Sequence, residues 1–321
     1  MRKTRFAVAM FVGGLLIAGQ GDSPAQSYPT KPVRVVTLAP GASADFVARL
    51  IAPGLSERLG KSMIVDNRSG NAVIPATIVA KSPADGYTLL VIPDAFWLLP
   101  FMQEVSYDPI KEFAPIALIS VTPLLIVVHP SLAVKSVAEL IARAKANPGA
   151  LNYASGISGS ATHLSAELFK AMAGINIVRI GYKGGGPALT ALMSGEVQLM
   201  FGNASGVAPY VSSGRLRALA VTSAQPSRLF PDLPTVSSSG LPGYEAVSKM
   251  AIFAPAGTPA AIINRLNQEI VRVLSDTDIK ERFIKAGAEV IASSPGQLEA
   301  NMKSDMATLG KLIRDAGIRA R

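Results

Sequence analysis

The chain has 321 residues, of which 49% are hydrophobic, and a formal net charge of +9. It contains no cysteine, which excludes disulfides, metal thiolates, a cysteine nucleophile and a lipid anchor on a leader cysteine. The positive charge is scattered, with no more than two basic residues adjacent and no aromatic residues interleaved, so nucleic acid is not an expected partner.

The first 25 residues indicate an export signal. Three basic residues precede an apolar stretch over residues 6–18, and the small residues of Ser23-Pro24-Ala25 offer a cleavage site. The apolar stretch is shorter than the roughly 20 residues that span a membrane. We therefore expect a signal peptide over residues 1–25, cleavage near Ala25 and a periplasmic location.

Strand-like and helix-like segments alternate along the rest of the chain, which predicts an α/β fold with mostly parallel sheets. The predicted strands are Val33–Leu38, Met63–Val65, Tyr87–Ile92, Ala114–Val121, Leu124–Val128, Leu151–Ala154, Asn176–Ile180, Val197–Phe201 and Leu216–Thr222. The predicted helices are Asp45–Leu59, Ala76–Lys81, Val137–Ala146, Thr162–Ala173, Pro187–Ser194, Ala260–Leu274, Asp278–Ala286 and Pro295–Asp315. Ser136 and Glu139 predict a capping box at the third of these helices.

Two Gly/Ser-rich turns, over residues 39–45 and 155–163, each follow a predicted strand and lead into a predicted helix. Such a turn leaves the first N–H groups of the helix unpaired at the positive end of its dipole, which makes an anion site without Lys or Arg. Ordinary βα turns are the alternative. Because the turns belong to separate βα series, we expect two lobes with a ligand in the crevice between them. The C-terminal helices are expected to return to the first lobe and create a hinge.

Short segments spread over the whole chain match, in their order and spacing, the segments of one group of known proteins. They are Tyr28–Arg34, Pro40–Asp45, Val65–Arg68, Asp85–Leu90, Tyr107–Pro109, Tyr153–Ser155, Tyr182–Gly184, Gly214–Thr222, Asp232–Val236, Pro242–Glu245 and Ala254–Pro259. In these segments the chain resembles the extracytoplasmic substrate-binding proteins of tripartite tricarboxylate transporters, the Bug family. Each segment alone is a weak match, whereas the ordered set is specific.

The resemblance implies a type II-like periplasmic binding protein with two Rossmann-like lobes, a hinge and a ligand in the cleft between the lobes. Lobe one would comprise residues 26–126 plus 251–321, and lobe two residues 127–250. The expected partners are a small carboxylate ligand and the membrane components of a tripartite tricarboxylate transporter, and the protein is expected to be a monomer. No cofactor is expected, and no metal either, because no His/Asp/Glu grouping has metal-ligand spacing.

The family's carboxylate contacts, carried onto this chain, fall on the two turns. They correspond to Gly41, Ala42, Ser43, Ala44 and Asp45 in the first turn and to Ser155, Gly156, Gly159, Ser160 and His163 in the second. The physical interpretation of the turns and the resemblance therefore point to the same backbone groups.

Three of the departures from the family pattern bear on the class of carboxylate. Asn203 stands where the family frequently has an acid, Phe96 and Trp97 where it usually has small polar residues, and Lys249 where it frequently has a tryptophan. With Trp97 and Asn203 as ligand contacts, these departures favour an apolar or aromatic carboxylate over an amino acid. The alternatives are core packing for Trp97 and a solvated position for Lys249.

Catalysis is not expected from the residues available. A secreted serine hydrolase using Ser158 or Ser160 with His163 is the alternative from the enzyme class, although Ser160 stands where a nucleophile elbow needs its second glycine. Among binding proteins, the alternative is a carboxylate sensor that docks to a signalling partner. The sequence leaves transport and sensing open.

Overall fold

The computed structural model describes residues 28–69, 72–156 and 158–320. The predicted signal peptide lies outside these residues, so its cleavage stays a prediction. Within the described ranges, no helix is both long and apolar enough to cross a membrane.

The fold consists of ten strands and ten α-helices within the described residues. The strands are β1 (Val33–Thr37), β2 (Met63–Asn67), β3 (Thr88–Pro93), β4 (Phe113–Val128), β5 (Asn152–Ser155), β6 (Val178–Gly181), β7 (Leu199–Asn203), β8 (Arg217–Val221), β9 (Val247–Pro255) and β10 (Glu289–Val290). The helices are α1 (Ser43–Leu59), α2 (Val73–Ala80), α3 (Ala95–Leu98), α4 (Val137–Ala146), α5 (Ala161–Ala173), α6 (Gly185–Met193), α7 (Ala204–Ser212), α8 (Ala260–Ser275), α9 (Thr277–Lys285) and α10 (Pro295–Asp315).

The strands form two similar sets. In the first, β1 lies between β2 and β3 and pairs with both in parallel, and β9 follows antiparallel to β3. In the second, β5 lies between β6 and β7 in parallel, and β4 follows antiparallel to β7. Each turn singled out by the sequence follows the middle strand of its set, β1 or β5. The α/β prediction is therefore confirmed, and both turns occupy equivalent places. The expectation of mostly parallel sheets is wrong, because among the described strands four pairings are parallel and five, all involving β4 or β9, are antiparallel.

Strand β4 joins the two sets. The sequence predicts two strands here, Ala114–Val121 and Leu124–Val128, but the structure has one strand of 16 residues. Its first part pairs with β9, and from Leu124 onward it pairs with β7 and β8. Pro123 lies where the pairing partner changes. A residue without an N–H donor is tolerated there, so the proline marks a change of partner rather than the end of a strand.

Strand β9 was not predicted. It pairs with β3 and β4, and seven of its nine residues are buried, so it shows neither alternation nor a clean turn signal. It carries the chain back to the first set, where α8 packs on α1 in a shared apolar core that includes Ile51, Leu266 and Ile270. Helix α7 was also missed, because Gly206 and Pro209 within it obscure the helical pattern.

The predicted capping box at α4 is half present. The Ser136 side chain accepts the Glu139 N–H, as a cap should. The Glu139 carboxylate, however, accepts the N–H of Lys135 rather than that of Ser136. The reciprocal bond of a capping box is therefore displaced by one residue, and the cap itself is confirmed.

Candidate functional site

A cavity of about 240 Å³ lies between the two turns. Ser43 lines it from the first turn, and Gly159 and Ser160 line it from the second. The remaining wall consists of Pro93, Asp94, Ala95, Leu98, Ala161, Leu164, Ser165, Ala246, Val247, Ser248 and Leu309. A smaller recess of about 80 Å³ shares Ser43 and Ser248 with this cavity and continues along β4 and β9. The two turns, although more than 100 residues apart in sequence, thus face a common space.

The first turn is built around a glycine with a positive φ. Gly41 has φ of 80°, and Ala42 follows as the N-cap of α1 in an extended conformation, φ −70° and ψ 158°. Ala42 has no side-chain oxygen, so no side chain caps the helix. The first N–H groups of α1 therefore lack the usual cap and remain available to an anion.

The carboxylate of Asp45 holds this turn in place. It accepts the Gly41 N–H at 2.9 Å, the Arg49 Nε–H at 2.8 Å and the Asn67 side-chain amide at 2.8 Å. Burial alone would raise the pKa of Asp45, but the hydrogen bonds from Asn67 and Gly41 and the charge of Arg49 outweigh burial and lower it. Since these donors occupy its carboxylate, Asp45 positions the turn and can offer a ligand only its backbone.

The second turn repeats this construction with different side chains. Gly159 has φ of 77°, and Ser160 follows as the N-cap of α5 with φ −65° and ψ 158°. The Ser160 hydroxyl lies 3.0 Å from that of Thr162 and does not cap the helix. The Gly159 N–H donates to Nδ1 of His163 at 3.0 Å, as the Gly41 N–H does to Asp45.

His163 is neutral and structural in this arrangement. Its side chain is buried, with the residue only 4% exposed, and its Nδ1 accepts from Gly159, so the ring proton is on Nε2. Burial, followed by the charge of Arg179, lowers the pKa of His163 to about 4. Among the described residues of this turn, no serine hydroxyl is hydrogen-bonded to the imidazole. The geometry therefore offers no activated nucleophile here.

Arg179 is a contributor that the sequence did not identify. Its guanidinium donates to the Ser155 hydroxyl at 2.7 Å and to the Gly156 carbonyl at 2.9 Å. It reaches them because β6 pairs with β5, with Arg179 opposite Tyr153. A single arginine in a short strand carries no signal of that pairing. The result is a positive charge directly behind the second turn, with Ser155 and Gly156 held in place rather than lining the cavity.

Trp97 lies in the core and does not line the cavity. It is 0% exposed and packs against Phe96 and Phe253, with ring centroids 6.4 and 6.2 Å away. Its indole N–H donates to Asp305 at 3.2 Å. The short helix α3 directs this side chain toward α10, so the structure corrects the ligand-contact assignment in favour of core packing.

Asn203 and Lys249 also differ from the expectations. Asn203 is exposed at the end of β7, where it is the N-cap of α7, and it is not among the residues that line the cavity. Lys249 is only 8% exposed, and its Nζ lies 2.7 Å from Oδ1 of Asp305, so the solvated position is wrong. Strand β9, which the sequence did not predict, places Lys249 inside the fold. No group of three or more metal-binding side chains occurs within the described residues.

Known proteins of one kind match this chain over most of its length. The sequence profile described as "Tripartite tricarboxylate transporter family receptor" matches residues 47–318. Protein BugT of Bordetella pertussis is 35% identical over 312 residues, covering 95% of this chain and 96% of BugT.

Solved structures agree with these sequence matches. An R. palustris protein determined with adipate is 38% identical and superposes with a TM-score of 0.72, over 91% of this chain and 99% of that protein. MatC from Rhodopseudomonas palustris, with bound malate, is 28% identical with a TM-score of 0.70, over 89% and 100% of the two chains. The superpositions confirm the predicted fold class.

Proposed function

The chain belongs to the tripartite tricarboxylate transporter receptor family, and on that premise we propose that it captures a small carboxylate between its two turns and delivers it to the membrane components of such a transporter. The family consists of extracytoplasmic receptors rather than enzymes. The observation that carries the proposal is the pair of uncapped helix N-termini that line one cavity.

The chemistry of the cavity supports a carboxylate ligand. Unpaired N–H groups at a helix N-terminus bind anions, and hydrogen bonds to an ionised carboxylate are about twice as strong as neutral ones. Adipate and malate, the ligands of the two similar proteins, are both small carboxylates. The cavity of about 240 Å³ lies just below the range of roughly 300–1,000 Å³ that small-molecule sites occupy, which suits a small solute.

We further propose that closure of the lobes traps the ligand. The lobe boundaries proposed are those implied by the resemblance, with residues 26–126 plus 251–321 facing residues 127–250, and with β4 and β9 as the hinge. Contacts across the cleft support this: Leu164 of α5 belongs to the apolar cluster of β3 and β9, and the Ser227 hydroxyl donates to Glu289 at 2.5 Å. Changes in a few backbone torsion angles of the hinge would close the lobes and shield the carboxylate from water.

A thermal-shift screen tests the carboxylate site. The purified protein is unfolded and refolded to strip carried-over ligand, then heated with di- and tricarboxylates, monocarboxylates, amino acids and the amide of each acid. Ligand at about 100 times its dissociation constant should stabilise the protein by roughly 2.7 kcal/mol. A shift with an acid that is absent with its amide supports the site. No shift with any carboxylate contradicts it.

Delivery to a transporter requires a separate test. Cells that carry the transporter's membrane components should accumulate the labelled solute only when the receptor is present. Accumulation that does not depend on the receptor would favour the sensor alternative.

A further inference from the structure

One acidic side chain lines the proposed carboxylate cavity. Among the described residues that line it, Asp94 alone is ionisable, and the others are small, hydroxyl-bearing or apolar. Asp94 directly follows β3 and its own N–H donates to the carbonyl of Lys249 at 3.0 Å, which fixes it against β9. A cavity that binds an anion at its helix termini therefore also contains an acid.

Lys249 offsets the charge of this acid only in part, because it is bound to a second acid. Its Nζ lies 2.7 Å from Oδ1 of Asp305, while the Trp97 indole N–H donates to Oδ2 of the same carboxylate. Within the part of the chain that the structure describes, no side chain is ion-paired or hydrogen-bonded to the Asp94 carboxyl; the charge of Lys249 and hydrogen bonds from the backbone of Lys249 and Ala95 lower its pKa but do not outweigh burial. Two acids therefore share one lysine, and the lysine is bound to Asp305.

Because its charge is only partly offset, Asp94 should respond to the ligand groups that face it. Burial, and after it the like charge of Asp305, raises the pKa of Asp94 to about 7. A hydrogen-bond donor on the ligand would stabilise the ionised carboxyl, whereas a second carboxylate would add another like charge. The side chains first expected to select an aromatic ligand cannot do so, because Trp97 is in the core and Lys249 is paired.

We propose that Asp94 is a specificity-determining residue that binds an amine or hydroxyl of the ligand while the two turns hold its carboxylate. This assignment rests on the proposed function and specifies its ligand class as short amino or hydroxy acids. Dicarboxylates and unsubstituted monocarboxylates are the disfavoured classes.

The test compares acids that differ in one group. For each chain length from three to six carbons, calorimetry measures the binding of the alkyl acid, the hydroxy acid, the amino acid and the dicarboxylic acid at pH 8. The amino or hydroxy acid should bind about tenfold more tightly than the other two, the difference that one hydrogen bond to a charged group supplies. The chain length of the best ligand then reports how far Asp94 lies from the bound carboxylate.

Two variants separate the role of Asp94 from a general loss of charge. Asp94→Asn should abolish the preference for the donor-bearing acids and leave the alkyl acid within about threefold of its wild-type affinity, since the turns are unchanged. Asp278→Asn removes an acid from the exposed end of α9 and should leave the order of ligands as it is.

The wild-type protein provides the same test without a substitution. Lowering the pH from 8 to 6 protonates Asp94. The binding of the amino acid should then weaken, and the binding of the dicarboxylate should strengthen. The charged groups facing Asp94 are Asp305 on α10 and Lys249 on β9, and His163 stays neutral in this range because its pKa is about 4.

The outcomes distinguish the two proposals. If all four classes bind alike at both pH values, or the dicarboxylate binds most tightly at pH 8, Asp94 does not select the ligand and the carboxylate site stands. If no carboxylate of any class binds, the carboxylate site itself fails, and the role of Asp94 fails with it.

Discussion

The two turns use the same backbone design with different charges. Each has a glycine with a positive φ, an extended N-cap residue without a capping side chain, and a residue on the first turn of the helix that accepts the glycine N–H. In the first turn that acceptor is the ionised Asp45, with Arg49 beside it. In the second turn it is the neutral His163, with Arg179 behind the turn.

Different residues therefore set the geometry and the charge of each turn. The glycine and the acceptor fix where the helix N–H groups point, whereas the neighbouring side chains set the charge that a ligand meets. The first turn is close to neutral, since Asp45 and Arg49 offset each other. The second carries the charge of Arg179, for which the described residues provide no ion-pair partner, so we expect it to contribute more of the attraction for an anion.

The largest expected difference in stability between variants of the two turns at neutral pH comes from adding one methyl group to each glycine. Gly41→Ala and Gly159→Ala share the strain of a positive φ, about 1–2 kcal/mol. At Gly159 the new methyl would also overlap the Met102 sulfur, whereas at Gly41 no atom lies within 4 Å. The sulfur is near the flexible end of the Met102 side chain, but Met102 is only 3% exposed, so we expect a cost at the low end of the roughly 1–3 kcal/mol of overpacking. Gly159→Ala should therefore lower the free energy of unfolding by more than Gly41→Ala in chemical denaturation.

A second substitution tests whether overlap with Met102 causes this difference in stability. In a protein that already carries Met102→Ala, Gly159→Ala should cost less than it does in the wild type, because the smaller side chain leaves room for the methyl group. Equal losses for the two glycine variants, with the same cost of Gly159→Ala in both backgrounds, would mean that the second turn does not pack against Met102.

Acid should weaken the second turn before the first. The pKa of His163 is about 4 in the folded protein and about 6.5 when unfolded, so its contribution is complete above pH 6.5 and is lost as the pH falls toward 4. The total loss is roughly 3 kcal/mol, at 1.4 kcal/mol for each pKa unit. Asp45 has a lowered pKa, so its contribution is retained down to about pH 4, the ordinary value for an aspartate, and is lost only below it.

The measurement is the difference in unfolding free energy between the wild type and His163→Asn, taken at several pH values. The difference is needed because the raised pKa of Asp94 gives a slope of opposite sign in the same range. His163→Asn keeps an acceptor for the Gly159 N–H and should remove the contribution of His163 to the pH dependence of the free energy of unfolding. The same series with His129→Asn assigns the slope to one of the two histidines, and an unchanged slope in His163→Asn would refute the neutral imidazole.

The smallest expected effect comes from exchanging the N-cap side chains. Ala42→Ser supplies the missing cap of α1 and should raise the free energy of unfolding by about 1 kcal/mol. The same hydroxyl would occupy an N–H group that the ligand uses, so carboxylate affinity should fall a few-fold. Ser160→Ala is the matched variant and should change stability little, because Ser160 does not cap α5. A stabilised Ala42→Ser protein with undiminished affinity would show that α1 does not bind the ligand.

The sequence predicted features that depend on neighbouring residues. The turns, the helices that follow them and the cap at Ser136 are all encoded within a few residues, and the structure has them where they were predicted. Strand β9 and helix α7 were missed because their sequences lack a local pattern: β9 is buried along most of its length, and α7 contains Gly206 and Pro209. Their existence depends on the strands and helices that surround them.

Local sequence patterns were enough to identify the fold class, the two turns and the family. Which side chains meet in the cavity depends instead on how distant segments pack together. Trp97 and Lys249 both donate hydrogen bonds to Asp305, which is more than 50 residues from each of them in the sequence. Arg179 contacts the second turn because its strand pairs with β5. Because Lys249 is bound to Asp305, Asp94 lines the cavity without a lysine bound to it. Local patterns fix the backbone, whereas the charge in a cavity depends on long-range pairing that a sequence does not show.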